Sequence, residues 1–136
     1  YCQQNNLEIK LAAVASTNEI RAAALAIANK VDAFYTAADN TINAGLESLI
    51  KVAKESKLPL LVSDPTSVEK GGLATIGYDY FSLGKQTGKL AAKILNGASP
   101  AETPVEEASS IKYYFNKKSF EDLGLVIPSI ENSEIY

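Results

Sequence analysis

Histidine is absent from the 136 residues, and cysteine occurs once, at Cys2. Those two facts exclude an internal disulfide and a Cys/His zinc site within this sequence. They also remove the usual general base of nucleophilic catalysis. A reactive Cys2 needs a basic or cationic neighbour, and Tyr1, Gln3, Gln4, Asn5 and Asn6 supply none, so Cys2 is read as inert. Long apolar runs are lacking as well. None approaches the roughly 18–20 residues that span a bilayer. The opening Tyr1-Cys2-Gln3-Gln4-Asn5-Asn6 is polar, has no basic segment of the secretory type, and leaves the compartment open. Positive charge is scarce and scattered: 13 basic residues stand against 16 acidic ones, a net charge of −3. Nucleic-acid binders concentrate Lys and Arg on one face, so no nucleic-acid partner is expected. The nearest cluster, Lys112, Lys117 and Lys118, reads as solvated charge around an edge strand.

What is present suits one globular domain: hydrophobic residues make up 46% and charged residues 21%. Two kinds of segment alternate. Residues 7–15 read as a strand. Residues 16–29 read as a helix opened by a Ser16/Glu19 capping box, with Ile20, Ala23, Ala24, Ile27 and Val31 at helical spacing. A second strand is expected over 31–37, then a helix from the caps Asp39, Asn40 and Thr41 to about Ser56. Residues 58–62 form a short apolar run of the buried parallel kind. Ser67 is expected to cap a short helix ending at Gly71-Gly72. Further along come a strand over 73–78, a helix over 80–96, a connecting loop over 98–110, a strand over 111–115 and a helical turn over 119–124. The remainder reads as a tail. The alternation predicts an α/β fold of three layers, a mostly parallel sheet with helices on both faces.

Ligands of open parallel sheets bind beyond the carboxyl ends of the strands. Those ends are Ser16-Thr17-Asn18, residues 36–41, Ser63-Asp64 and Tyr78-Asp79-Tyr80. Capping alone explains Ser16, Asp39, Asn40, Thr41 and Ser67. It explains Asp64 less well, because Pro65 follows and Ser67 is the better cap, and it does not explain two tyrosines flanking Asp79. The rim suits a zwitterion: Asp64 or Asp39 for an ammonium, helix N-termini near Ser16 and Thr41 for a carboxylate, Tyr78 and Tyr80 for an apolar side chain. It suits a sugar equally. A catalytic reading of Asp39, Asp64 and Asp79 as a carboxylate pair lacks any accompanying nucleophile or metal set. No glycine loop that cradles phosphate is present, and no cofactor is expected.

Residues 30–41, Lys-Val-Asp-Ala-Phe-Tyr-Thr-Ala-Ala-Asp-Asn-Thr, together with Leu58-Pro59-Leu60-Leu61-Val62-Ser63-Asp64 and the run from Ser67-Val68-Glu69-Lys70-Gly71-Gly72 through Tyr78-Asp79-Tyr80 to Leu83-Gly84-Lys85-Gln86-Thr87-Gly88, resemble a known pattern. The pattern is that of ABC transporter substrate-binding proteins, in the family that includes tryptophan- and tyrosine-binding lipoproteins. Asn116 and Leu123-Gly124 fit its closing segment. The resemblance implies a type I periplasmic-binding-protein-like lobe, here incomplete. It implies a small-molecule ligand such as an aromatic amino acid, closed between two lobes by hinge motion, and an ABC permease as membrane partner. It places the protein in the periplasm or outside the cell, with lipid anchoring through a missing N-terminus. By position it assigns Asp39, Asn40, Thr41, Ser63, Asp64 and Tyr78 to the ligand, and Asp79 completes the candidate set from the rim.

The same resemblance divides the chain into a ligand-binding lobe lacking its first strand over 1–75, a segment that packs on the absent lobe over 76–108, and a return strand with tail over 109–136. Hinges are expected near residues 74–76 and 105–110. An isolated chain is then expected to expose Leu83, Leu90 and Ile94 and to dimerise or swap elements. Two rivals share the architecture: the effector domain of a lac-type repressor, and a flavodoxin-like enzyme or receiver domain, whose acidic cluster and lysine are not convincing here.

Overall fold

A computed structural model describes residues 2–136. The described residues hold five strands and six α-helices. In chain order these are α1 (Ile20–Ala28), β1 (Phe34–Tyr35), α2 (Asn40–Ala44), α3 (Leu46–Glu55), β2 (Leu60–Leu61), α4 (Pro65–Glu69), β3 (Ala74–Tyr78), α5 (Tyr80–Leu95), β4 (Ile111–Phe115), α6 (Lys117–Asp122) and β5 (Ser133–Ile135). The sheet runs β1-β2-β3-β4-β5. All neighbours are parallel except β3 and β4, which pair antiparallel from Ala74↔Phe115 to Tyr78↔Ile111. The expected α/β class, a mostly parallel sheet with helices, is what the chain adopts.

Side chains alternate across a strand, and registered partners share a face. One face carries Phe34, Leu60, Val62, Thr75 and Tyr114, all buried. The amphipathic α3 supplies Leu46, Leu49, Ile50, Val52 and Ala53 to the same core, and α1 adds Ile20 and Ala24. The other face is covered by α6 at one end, where Phe120 meets Phe115 edge-on with ring centres 5.7 Å apart. Elsewhere that face is open: Tyr35 is 76% exposed, Ile76 62% and Tyr78 51%.

Four elements depart from the sequence reading, the first being the helix expected over 16–29: Ser16 makes no cap bond, residues 17–19 form a 3-10 turn and α1 begins at Ile20. Residues 7–15 form no strand; a strand exists only with a ladder partner, and no described residue pairs with this segment. Most of its side chains lie in solvent, Leu11 at 90% exposure, and Val14 packs partly buried against the core. The single helix expected from Thr41 onward breaks at Gly45. A Cβ there would fall 2.4 Å from Ile20 Cδ1, so the break lets α1 approach. The expected tail contains β5, paired with β4 from Tyr113↔Ser133 to Phe115↔Ile135.

Candidate functional site

Because β1, β2 and β3 are parallel, their carboxyl ends share one edge of the sheet. That edge therefore gathers three of the four expected segments, residues 36–41, Ser63-Asp64 and Tyr78-Asp79-Tyr80, while Ser16-Thr17-Asn18 follows no strand. The turn at residues 17–19 packs beside the end of α2, where Thr17 lies next to Gly45. Pro65 and the Tyr114 ring pack beneath the rim at Gly77, where a Cβ would make only ordinary contacts, 3.4 Å from Pro65 Cδ and 3.7 Å from Tyr114 Cε2. Below it, the Tyr114 hydroxyl donates to the Tyr78 carbonyl at 3.3 Å.

Each strand end delivers an aspartate that caps the helix after it, but the three carboxylates are not equivalent. Asp39 Oδ1 accepts from Thr41 N at 2.8 Å and Ile42 N at 3.0 Å. Its Oδ2 has no protein partner among the described residues, and the residue is exposed. Asn40 is exposed and Thr41 half-buried, with no side-chain hydrogen bond among the described residues. The amides expected to receive a ligand carboxylate near Thr41 are already taken by Asp39.

Asp64 is more fully committed. Its Oδ1 accepts from Ser67 N at 3.0 Å and Thr66 Oγ1 at 2.6 Å, and its Oδ2 accepts from Ser67 Oγ at 2.6 Å. Asp64, not Ser67, is the cap of α4, with Pro65 at the first helical position. The sequence argument against capping was wrong because proline suits that position, its missing N–H being unneeded there. Partial burial raises the Asp64 pKa, but the bonds from Ser67 and Thr66 outweigh it and hold the carboxyl below its ordinary value. Beside it, Ser63 Oγ is the buried side-chain polar atom without a partner among the described residues.

Asp79 caps α5 through Phe81 N at 3.2 Å, Ser82 N at 3.4 Å and Ser82 Oγ at 2.8 Å. Lys112 Nζ lies 3.3 Å from Asp79 Oδ2 and 3.5 Å from Glu134 Oε2. The Ser82 hydroxyl first, and Lys112 after it, lower the Asp79 pKa, while Asp79 raises that of Lys112. Lys112 was missed as part of this edge. Only the register Gly77↔Lys112 brings it there, and no spacing in the sequence carries that information.

The rim is thus an open ledge, acidic at Asp39, polar at Asn40 and Thr41, and aromatic at Tyr78 and Tyr80, with the Ser63 hydroxyl buried beneath it. Two open recesses lie elsewhere. A cavity of about 260 Å³ sits at the opposite strand ends, between Lys54, Lys57, Leu60, Leu73 and Leu123. A second of about 390 Å³ lies between α5 and the return loop, against Lys85, Gln86, Lys89 and Glu106. Among the described residues no group of three or more His, Cys, Asp or Glu side chains is placed to hold a metal ion. No described helix is long and apolar enough to cross a membrane.

Residues 1–131 match the family described as ABC transporter substrate binding protein. A tyrosine-binding protein of Clostridioides difficile is 31% identical over 132 residues, 97% of this chain and 38% of that protein. The ligand-free, open structure of a substrate-binding protein with adhesive properties from Clostridium difficile superposes with a TM-score of 0.86 at 31% identity, over 100% of this chain and 46% of the other. An ABC domain in complex with L-Trp from Streptococcus pneumonia gives 0.77 at 40% identity, over 94% of this chain and 44% of the other. The chain spans less than half the length of each of these relatives.

Proposed function

The chain belongs to the family of ABC transporter substrate-binding proteins, and from that premise we propose that it forms one wall of a binding site for an aromatic amino acid. The observation that supports this reading most is the shared edge of β1, β2 and β3, where a free carboxylate oxygen on Asp39 stands with exposed aromatic rings at Tyr78 and Tyr80. An ammonium group pairs with the carboxylate, and an aromatic side chain packs on the tyrosines. Asn40 and Thr41 supply further polar contacts, and Asp64 and Asp79 keep the strand ends in place as caps. The relatives that bind tyrosine and L-Trp favour an aromatic ligand over a sugar.

In this proposal a second lobe, supplied by the remainder of a longer polypeptide, closes over the ligand by hinge motion. The closed protein then delivers its cargo to a permease for import, and works in the periplasm or outside the cell. Its task is capture, not catalysis. The test is a thermal-shift panel of the full-length protein against the amino acids and common sugars. L-Trp or L-Tyr at a hundredfold excess over its Kd is expected to add about 2.7 kcal/mol of stability by mass action. A shift with sugars alone, or with no amino acid, contradicts the ligand assignment.

A further inference from the structure

Residues 80–109 leave the sheet and return to it as a small unit of their own. No residue of α5 is buried. The return loop is tied to that helix by one side chain: Gln86 Nε2 donates to Glu106 Oε2 at 3.0 Å and to the Glu107 carbonyl at 2.8 Å, and its Oε1 accepts from Ser109 N at 3.1 Å. Gln86 thereby holds the loop against α5. Two chain crossings join this unit to the sheet, at Tyr78-Asp79-Tyr80 going out and at Ser109-Ser110-Ile111 coming back. The β3–β4 ladder is paired from Ala74↔Phe115 to Tyr78↔Ile111, so residues 74–76 are held within the sheet and the crossings are where the chain can bend. One backbone bond links the crossings, from Asp79 N to the Ser110 carbonyl at 3.3 Å.

The Asp79–Lys112 ion pair spans this pivot. Asp79 is fixed to the first turn of α5 by its cap bonds. Lys112 is fixed to the sheet, since β4 pairs with β3 on one side and β5 on the other. The two are diagonal cross-strand neighbours, with side-chain exposures of 16% and 33%. Rotation of the α5 unit about the crossings turns the Asp79 carboxylate, held by Ser82 in the first turn of α5, relative to Lys112. Glu134 holds the same ammonium from the sheet side.

We propose that Lys112 is a positioning residue that latches the angle between the α5 unit and the sheet through the Asp79 cap. This rests on the binding reading above only for its consequence: if the lobes close by bending at these crossings, Lys112 sets how far the open form is restrained. Lys112 itself need not touch the ligand.

Pulsed electron double resonance on the full-length protein tests the latch. Native cysteines are replaced by serine, and nitroxide labels are placed at Lys93→Cys on α5 and Lys51→Cys on α3, which is anchored in the core. Lys112→Gln is expected to widen the distance distribution about twofold, because the restraint across the pivot is lost. Lys112→Arg should keep it narrow. Glu134→Gln leaves the Asp79 pair intact and should also keep it narrow, which guards against the trivial loss of the β4–β5 edge. An unchanged distribution in Lys112→Gln, or equal widening in Glu134→Gln, overturns the proposal. Titrating the same samples with L-Trp separates the two claims. Widening without binding removes the ligand assignment and keeps the latch; binding without widening removes the latch alone.

Discussion

Asp39, Asp64 and Asp79 occupy equivalent places at three strand ends, yet their chemistry differs by what else their oxygens hold. Asp39 keeps one oxygen free, and this makes a clean experiment available. Asparagine caps a helix as well as aspartate does. Asp39→Asn should therefore leave thermal stability nearly unchanged and weaken L-Trp or L-Tyr binding about tenfold or more, the worth of a hydrogen bond to a charged group. Calorimetric titration of the full-length protein reads the affinity, and an Asp39→Asn protein that binds like the parent removes the ammonium contact. Asp64→Ala, by contrast, should cost about 1–2 kcal/mol of stability in urea unfolding.

Asp64 and Asp79 both have folded-state pKa values held below the ordinary one. The sign follows from linkage: the unfolded chain binds protons first, so the stabilisation is present above the unfolded Asp value and is lost as pH falls through the lowered folded values. Urea midpoints should be flat from neutral pH down to about 5 and fall below about 4. Part of that fall should disappear in Asp64→Asn. Of the caps, Asp39 was legible in the residue types; Asp64 was passed over for Ser67, Asp79 was not read as a cap, and Ser16 makes no cap bond. Which carboxylate keeps an oxygen free was not legible, because that depends on Thr66 and Ser67 folding back onto Asp64.

At the scale of elements, the segments read best were those whose signal is internal. The apolar spacing of α5 and the compact run of β4 need no partner to be recognised, and both appear within a residue or two of the expected bounds. Residues 7–15 and β5 were misread in opposite directions for one reason: a strand is a relation between two segments. The first has a strand's composition and no strand beside it. The second, Ser133–Ile135, is exposed throughout and is a strand only because β4 pairs with it. The loop at Gly72 shows how tightly the elements meet beneath the rim. A Cβ at Gly72 would lie 2.7 Å and 2.8 Å from the two methyls of Val62 and 3.0 Å from the Ser67 carbonyl. Gly72→Ala should cost about 1–3 kcal/mol by overpacking, read as a lower urea midpoint with unchanged slope. No loss would mean that α4 and β2 shift apart more easily than the packing indicates.

For the whole molecule, the parallel sheet places the candidate residues along one edge, and that much followed from the strand–helix alternation alone. The open second face did not follow from it. Parallel sheets are normally covered on both faces, whereas Tyr35, Leu61, Ile76, Tyr78 and Ile111 are exposed on this one. Apolar patches of several hundred Å² on soluble domains mark contact surfaces. The 136-residue chain in isolation is therefore expected to self-associate at micromolar concentration, by way of this face more than α5, whose Leu83, Leu90 and Ile94 are half-buried. Sedimentation velocity checks it: Tyr35→Ser combined with Ile76→Thr should shift the chain toward monomer, and a parent chain that is monomeric throughout contradicts it.

The measurement closest to the central claim is an amide chemical-shift map of the full-length protein titrated with L-Trp. Perturbations concentrated at residues 36–41, 63–64 and 78–80 are the predicted result. Perturbations centred instead on Lys54, Lys57 and Leu123, at the opposite strand ends, would place the ligand in the wrong half of the sheet and contradict the account.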